Sequence, residues 1–260
     1  TGMRHLFRFI GREIDQQTWE LSDEESHHLS KVVRLSPGDM VEVTNGCGLW
    51  AVCSVETIGK NSTTLRIRPN DQGEFASLTE SPPDPLLVLC IGALRHGSLD
   101  EILPGLVELG VDSLHLFHQP GSAKDRLADK TITRWERQMT QAVKQSKRSW
   151  LPRLRTHESL SSLLQEPEII EDSSRLFLTP DGSQTLIEAL DKNLSTKSTK
   201  IVLVVGGEQG LSLQEEDQLA SADFLGVRLG HHILRAVTAA ISASAITSCH
   251  RDRRRSQIVV

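Results

Sequence analysis

From Asp39 to Pro69 the chain reads DMVEVTNGCGLWAVCSVETIGKNSTTLRIRP, with apolar and polar positions alternating at the period of half-buried β-strands. Asn45-Gly46 breaks the alternation as a hairpin turn, and Lys60-Asn61 as a second turn. The preceding SDEESHHLSKVVRL, Ser22 to Leu35, predicts a short helix capped by Ser22, with Glu25 three residues on. Several short strands with no room for crossover helices predict a small closed barrel over residues 1–72.

The stretch NDQGEFASLTESPPDP, Asn70 to Pro85, is polar and proline-rich, and residues 73–85 read as a linker. Beyond it the pattern changes. LLVLCIGAL, SLHLFHQ, RLFLTP, KIVLVVGG and FLGVRLG are near-continuous apolar runs separated by helical segments. Such strands are buried on both faces, so residues 86–260 predict an α/β domain with a parallel sheet between layers of helices. Ligands of these sheets sit outside the carboxyl ends of the strands. Three strands end there in distinctive loops: TPDG from Thr179, GGEQG from Gly206, and Leu229-Gly230.

A helix is expected from Thr133 to Ser149, opened by a Thr133/Glu136 capping box. Trp135, Met139, Ala142, Val143 and Ser146 share one face, while Arg134, Arg137, Gln141, Lys144 and Arg148 recur on another. Charge changes the picture at this point. The net charge is -5, yet ten Lys or Arg stand against three acids between Lys124 and Arg155. Phosphate contact by the stripe and a solvated face are both open on this pattern.

The 260-residue chain is 38% hydrophobic and 24% charged, the profile of a globular protein. No apolar run reaches the ~20 residues of a membrane helix, and TGMRHLFRF lacks the apolar core of a signal peptide. Cys47, Cys53, Cys90 and Cys249 form no CxxC pair and no zinc pattern, so free thiols, no metal and a cytoplasmic location are expected. Phosphate-loop, HExxH and GxSxG signatures are absent, and GGEQG lacks dinucleotide-fold spacing.

Gly206, Gly207 and Gly210 permit tight turning and close backbone approach to a flat ligand. Glu208 either orients a ligand or caps the helix beginning near Ser212. Gly230 is read as the turn from a strand straight into a long helix, with Arg235 on its second turn facing an anion or pairing with an acid such as Glu208. His231 and His232 read as loop or surface residues. The helix beyond is rich in small residues on all sides, which suggests burial or a contact with another subunit.

The segments MRHLFRF, HHLSKVVRLSPGDMVEVTNGCG, VELGV, RWERQMTQAVKQSKRSWLP, GGEQGLS and LGHHILRAVTA occur in one order across nearly the whole chain. In this the chain resembles the bacterial 16S ribosomal RNA uridine-N3 methyltransferases of the SPOUT superfamily. The resemblance implies a PUA-like RNA-binding barrel and a SPOUT domain with a C-terminal trefoil knot, assembled as a homodimer that acts on the small ribosomal subunit. It also implies S-adenosylmethionine held by Thr179, Pro180, Gly206, Gly207, Glu208, Leu229, Gly230, Ile233, Leu234 and Thr238. Arg235 is then the candidate for steadying a uracil anion, Glu208 the candidate base, and Arg34, Arg134, Arg137, Lys144 and Arg148 the candidate RNA contacts. The family's usual Arg-x-Glu-Thr-Ala reads Arg235-Ala236-Val237-Thr238-Ala239 here, placing Val237 at the expected heart of the site. A diverged SPOUT-fold RNA-binding protein with an altered target or little catalysis is the alternative.

Overall fold

The computed structural model describes residues 6–69, 76–94, 96–119, 129–193 and 198–258, the side chains of His96, Asn193 and 254–258 excepted. Residues 70–75 of the polar stretch, and the cations Lys124 and Arg126, lie outside the described residues. By contacts the chain divides into two units, 1–82 with 143–151, and 83–142 with 152–260.

In the first unit, β1 (Arg8–Asp15), β2 (Thr18–Leu21), β3 (Met40–Thr44), β4 (Leu49–Ile58) and β5 (Thr63–Ile67) form a closed ring. The closure is visible in the pairings: β1 lies parallel to β3 and antiparallel to β2, while β2–β5, β5–β4 and β4–β3 are all antiparallel. Alternation along each strand sends Val41 and Val43, Ala51, Cys53 and Val55, and Leu65 and Ile67 to the inside, all buried. The helix α1 (Asp23–His27) begins where expected, with the Ser22 hydroxyl accepting from Glu25 N at 3.3 Å. Only half of a capping box forms, because the Glu25 carboxylate turns away to accept from Ile10 N and from Lys144. A π-helical turn, His28–Val33, follows and ends at Arg34 in the left-handed region.

Two features of this unit depart from a simple division at residues 72 and 85. The expected linker supplies a short strand, β6 (Leu78–Thr79), paired with Leu49 and Trp50 of β4. The segment 143–151 also belongs here: Lys147 and Arg8 both pair with Glu42 at 2.9 Å, and the Arg8 guanidinium covers the Trp50 ring.

The second unit holds the parallel sheet. Its strands are β7 (Leu86–Gly92), β8 (Ser113–Phe117), β9 (Arg153–His157), β10 (Ser173–Leu178), β11 (Gln184–Thr185), β12 (Lys200–Val205) and β13 (Leu225–Arg228). Among the described residues the order is β11-β13-β10-β12-β7-β8-β9, every pairing parallel. All of β8, and β7 apart from its first residue, is buried, as strands covered on both faces must be. The helices between strands are α2 (His96–Glu108), α3 (Asp129–Ser146), α4 (Leu160–Leu163), α5 (Pro167–Ile170), α6 (Leu186–Asn193), α7 (Leu213–Ser221) and α8 (Ala236–Ile258). Successive strands run outward from β7 to β9 and then resume on its other side, so the order reverses between β7 and β12. In open α/β sheets ligands sit outside the carboxyl ends of the strands near such a reversal.

Two helix boundaries differ from expectation. Among the described residues α3 runs from Asp129, so Thr133, whose hydroxyl donates to Asp129 O, lies inside the helix. It stops at Ser146 because Lys147 adopts a left-handed φ of 61°. The helix α8 starts at Ala236 rather than after Gly230. Residues 231–235 are all exposed, and a segment with no face to bury lacks the packing that sustains most helices in proteins.

Candidate functional site

Three loops leave the carboxyl ends of β10, β12 and β13 and enclose a cavity of ≈ 380 Å³, within the ~300–1,000 Å³ range of small-molecule sites. The first loop, after β10, lies flat on β13. Thr179 N donates to Val227 O at 3.0 Å, and Arg228 Nη1 donates to Gly182 O at 2.7 Å. A Cβ on Gly182 would sit 2.5 Å from the Val227 carbonyl carbon, so the close approach needs a glycine.

The second loop, Gly206 to Gly210, folds back on itself. Gly210 N donates to Gly207 O at 3.0 Å, and Gly210 takes a φ of 76°. A Cβ on Gly206 would lie 2.3 Å from the Gly210 carbonyl carbon and 2.5 Å from Leu211 N, both backbone atoms. Just beyond, Ser212 and Glu215 form a full capping box on α7. Glu208 is therefore not the cap of that helix; it is an exposed residue lining the cavity.

The third loop runs from Leu229 to Arg235 and brings His232, Ile233 and Leu234 to the cavity, with Ile233 85% exposed. Gly230 is not in the left-handed region, and a Cβ there would meet nothing within 4 Å. Its backbone turn thus makes no demand for glycine, contrary to the hinge expected of it.

Nine sequence-predicted positions line the cavity: Thr179, Pro180, Gly206, Gly207, Glu208, Leu229, Gly230, Ile233 and Leu234. Thr238, Arg235 and Val237 are not among its lining residues; Ala236 and Ala239 take those places. The one-sided spacing of the start of α8 explains this, since a helix turned by the packing of Ala239 and Ala240 presents Thr238 to solvent. Arg235 is exposed between the lining residues Leu234 and Ala236, at the rim. Of the lining residues, sequence reasoning missed Glu216 and Arg228. Arg228 carried a signal, being the one charged residue in the otherwise apolar run FLGVRLG.

The candidate RNA contacts divide by environment. Arg34 and Arg137 are exposed. Arg134 is exposed but paired with Asp100 at 2.8 Å, which also accepts from Trp135 Nε1. Arg148 lies past the end of α3 and is half-buried. Lys144, expected among the RNA contacts, is instead turned inward. It is 6% exposed and bonded to Glu25 at 2.6 Å, because it falls in the last turn of α3, where the helix packs in the first unit.

Away from the cavity, Ser113, His115 and His157 form a buried polar row. His115 Nε2 is 3.0 Å from Ser113 Oγ, and His115 Nδ1 is 2.9 Å from His157 Nε2. Burial, then the neighbouring His157, Arg155 and Arg153 charges, pushes His115 down to about 3.

Comparisons with known proteins identify the family. The family model described as RNA methyltransferase domain matches residues 81–248, and the RNA methyltransferase PUA domain model matches residues 21–68. The chain is 26% identical over 252 residues to ribosomal RNA small subunit methyltransferase E of Bacillus subtilis, covering 94% of this chain and 95% of that protein. It is 29% identical over 238 residues to the Synechocystis protein of the same name, covering 90% and 73%. The Neisseria gonorrhoeae protein of that name, solved bound to S-adenosyl methionine, superposes with a TM-score of 0.79 at 25% identity, over 94% of this chain and 98% of that one.

Proposed function

The chain belongs to the RNA methyltransferase family, and from that premise we propose that it methylates N3 of a uridine in the 16S RNA of the small ribosomal subunit, with S-adenosylmethionine as the donor. The observation that carries the reading is the cavity formed by three glycine-bearing loops at the carboxyl ends of β10, β12 and β13. The names of the similar proteins and the bound cofactor of the Neisseria relative support it.

The residues present fit the donor. Gly206, Gly207 and Gly210 all line the cavity and carry no side chain, so the wall there is backbone. Backbone groups of 205–211 and 227–230 would hold the adenine, and Ile233, Leu234 and Leu229 would cover its apolar edge. When bound, S-adenosylmethionine supplies a methyl group on a positively charged sulfur. Glu208 and Glu216 give the cavity wall carboxylates suited to a cation.

Uridine N3 carries a proton at neutral pH and must release it to become a nucleophile. Glu208 is the group at the cavity that accepts that proton, and Arg235 at the rim steadies the charge left on the uracil oxygens. The reaction further depends on holding the base in line with the methyl group, a positional requirement that rigid loops meet. In the first unit the barrel with Arg34 and Arg148, and in the second unit Arg137 with Arg134, are the surfaces for the rest of the RNA.

The same reading extends to a trefoil knot around the third loop, a homodimer packed through the outward residues of α8, and action on the ribosome in the cytoplasm. Among the described residues no helix is long and apolar enough to cross a membrane, and no cluster of His, Cys, Asp and Glu could hold a metal ion. The test is nucleoside mass spectrometry after incubating the protein and labelled donor with small subunits from cells lacking the modification. Labelled 3-methyluridine is expected. Normal donor binding with no incorporation defeats the proposed activity.

A further inference from the structure

Gln119 lies just past the carboxyl end of β8, two strands away from β12, yet its amide reaches the glycine loop of the cavity. Its Oε1 accepts from Gly207 N at 2.7 Å. Its Nε2 donates to Gly210 O at 3.0 Å and to the Glu215 carboxylate at 3.0 and 3.1 Å. One side chain therefore ties both ends of the Gly207–Gly210 turn and links them to the cap of α7. The path runs over Gly92, the last residue of β7, where a Cβ would lie 2.1 Å from Gln119 Oε1 and 2.5 Å from Gly207 N. The absence of a side chain at Gly92 is what lets the amide cross.

We infer that Gln119 is a positioning residue for the cofactor: it clamps the Gly206–Gly210 loop in the shape that receives S-adenosylmethionine. The inference rests on the cavity being the S-adenosylmethionine site. Gln119 is not among the residues that line the cavity, so it acts through the loop. A glycine-rich turn loses more freedom on ordering than any other backbone, and a pre-ordered loop spares that cost at binding. The polarity of the clamp is specific. A carboxamide offers an acceptor to Gly207 N and donors to Gly210 O and Glu215 at once, whereas a carboxylate offers only acceptors.

Gln119→Glu keeps the shape and removes the donors, leaving a carboxylate against that of Glu215. Like charges this close raise the pKa of the pair, and a shared proton restores a donor. S-Adenosylmethionine affinity, measured by calorimetry, is expected to fall ~10- to 100-fold above neutral pH, the range for losing one to two hydrogen bonds. It should recover towards wild type as the pH drops through the raised pKa, so the ratio of the two affinities closes, the cavity-lining Glu208, Glu216 and His232 being common to both proteins. Gly92→Ala should reproduce the loss without the recovery. Hydrogen exchange of the Gly207 and Gly210 amides without donor gives a readout independent of the ligand. Faster exchange in Gln119→Glu supports the clamp.

Two results overturn it: equal affinity of wild type and Gln119→Glu above neutral pH, or unchanged exchange of both amides. A lower melting temperature with unaltered donor affinity counts the same way, since it makes Gln119 a mere packing residue. A wild-type protein that binds no S-adenosylmethionine overturns the cavity's assignment instead, and the exchange result then decides on the loop alone.

Discussion

Replacing His115 by Gln should flatten the acid sensitivity of the parallel-sheet unit. His115 is fully buried on β8 between Ser113 and His157, with Glu168 at 3.8 Å from its Nε2 and Glu166 at 3.9 Å from His157 Nδ1. A neutral tautomer with Nδ1–H donating to His157 and Nε2 accepting from Ser113 satisfies every atom in the row, and leaves His157 Nδ1–H towards Glu166. Protonating His115 puts a charge in the core beside Arg153 and Arg155, so its folded pKa drops to about 3 against 6.5 in the unfolded chain. For such a base the unfolded state binds the proton first. Stability is whole above pH 6.5 and falls as the pH drops below it, until the folded group also titrates. At about pH 5 the unfolded His115 has gained ~2 kcal/mol, from roughly 1.5 pH units at about 1.4 kcal/mol each. This figure holds for any folded pKa well below 5. Gln at 115 stays neutral and can still bond to Ser113 and His157. Urea unfolding followed by circular dichroism, near pH 7.5 and near pH 5, should show wild type losing about 2 kcal/mol more than the variant. Histidines remote from position 115 cancel in that difference, and repeating the comparison in a His157→Gln background removes the histidine bonded to it. Equal losses in the two proteins would refute a buried neutral His115.

Gly206→Ala should weaken donor binding by at least ~10-fold in calorimetry, because its Cβ meets backbone at 2.3 Å and the loop must open; unchanged affinity would mean the loop's shape is not what the donor reads. Lys144→Met should cost about 3–5 kcal/mol in urea unfolding by stranding a buried Glu25, and adding Glu25→Gln should recover much of it. Equal stability of the single variant and wild type would show the pair to be solvated. Reversing Arg137 to Glu should weaken binding to small-subunit RNA and lower the salt slope by about one. Reversing Arg134, already paired with Asp100, should do less; equal effects in filter binding would contradict the distinction drawn between them.

The five apolar runs of the second unit were readable because strands buried on both faces leave an unbroken hydrophobic record. The edge strand β9, RLRTH, leaves none: it pairs only with β8 among the described residues, and its burial alternates irregularly. The two-residue β11 is too short to carry a period. Closure of the barrel was readable from alternation and turns, but the return of 143–151 to that unit was not. It depends on ion pairs such as Lys144–Glu25, whose partners stand 119 residues apart. The same physics separates the site residues. Gly206 and Gly207 announce themselves, since a backbone that must approach closely excludes every other residue type. Arg235 and Thr238 were placed by motif and by an assumed helix phase, and the phase shifted once α8 began at Ala236. Gln119 has no local signature, since its partner Gly207 lies 88 residues away. Polar groups that act across strands are specified by topology rather than period. Gly92 is the trace such a contact does leave, a buried glycine ending a strand where no turn requires one. A glycine in that position is therefore a pointer to a side chain crossing from elsewhere in the sheet, and the shared effect expected of Gly92→Ala and Gln119→Glu follows from that reasoning.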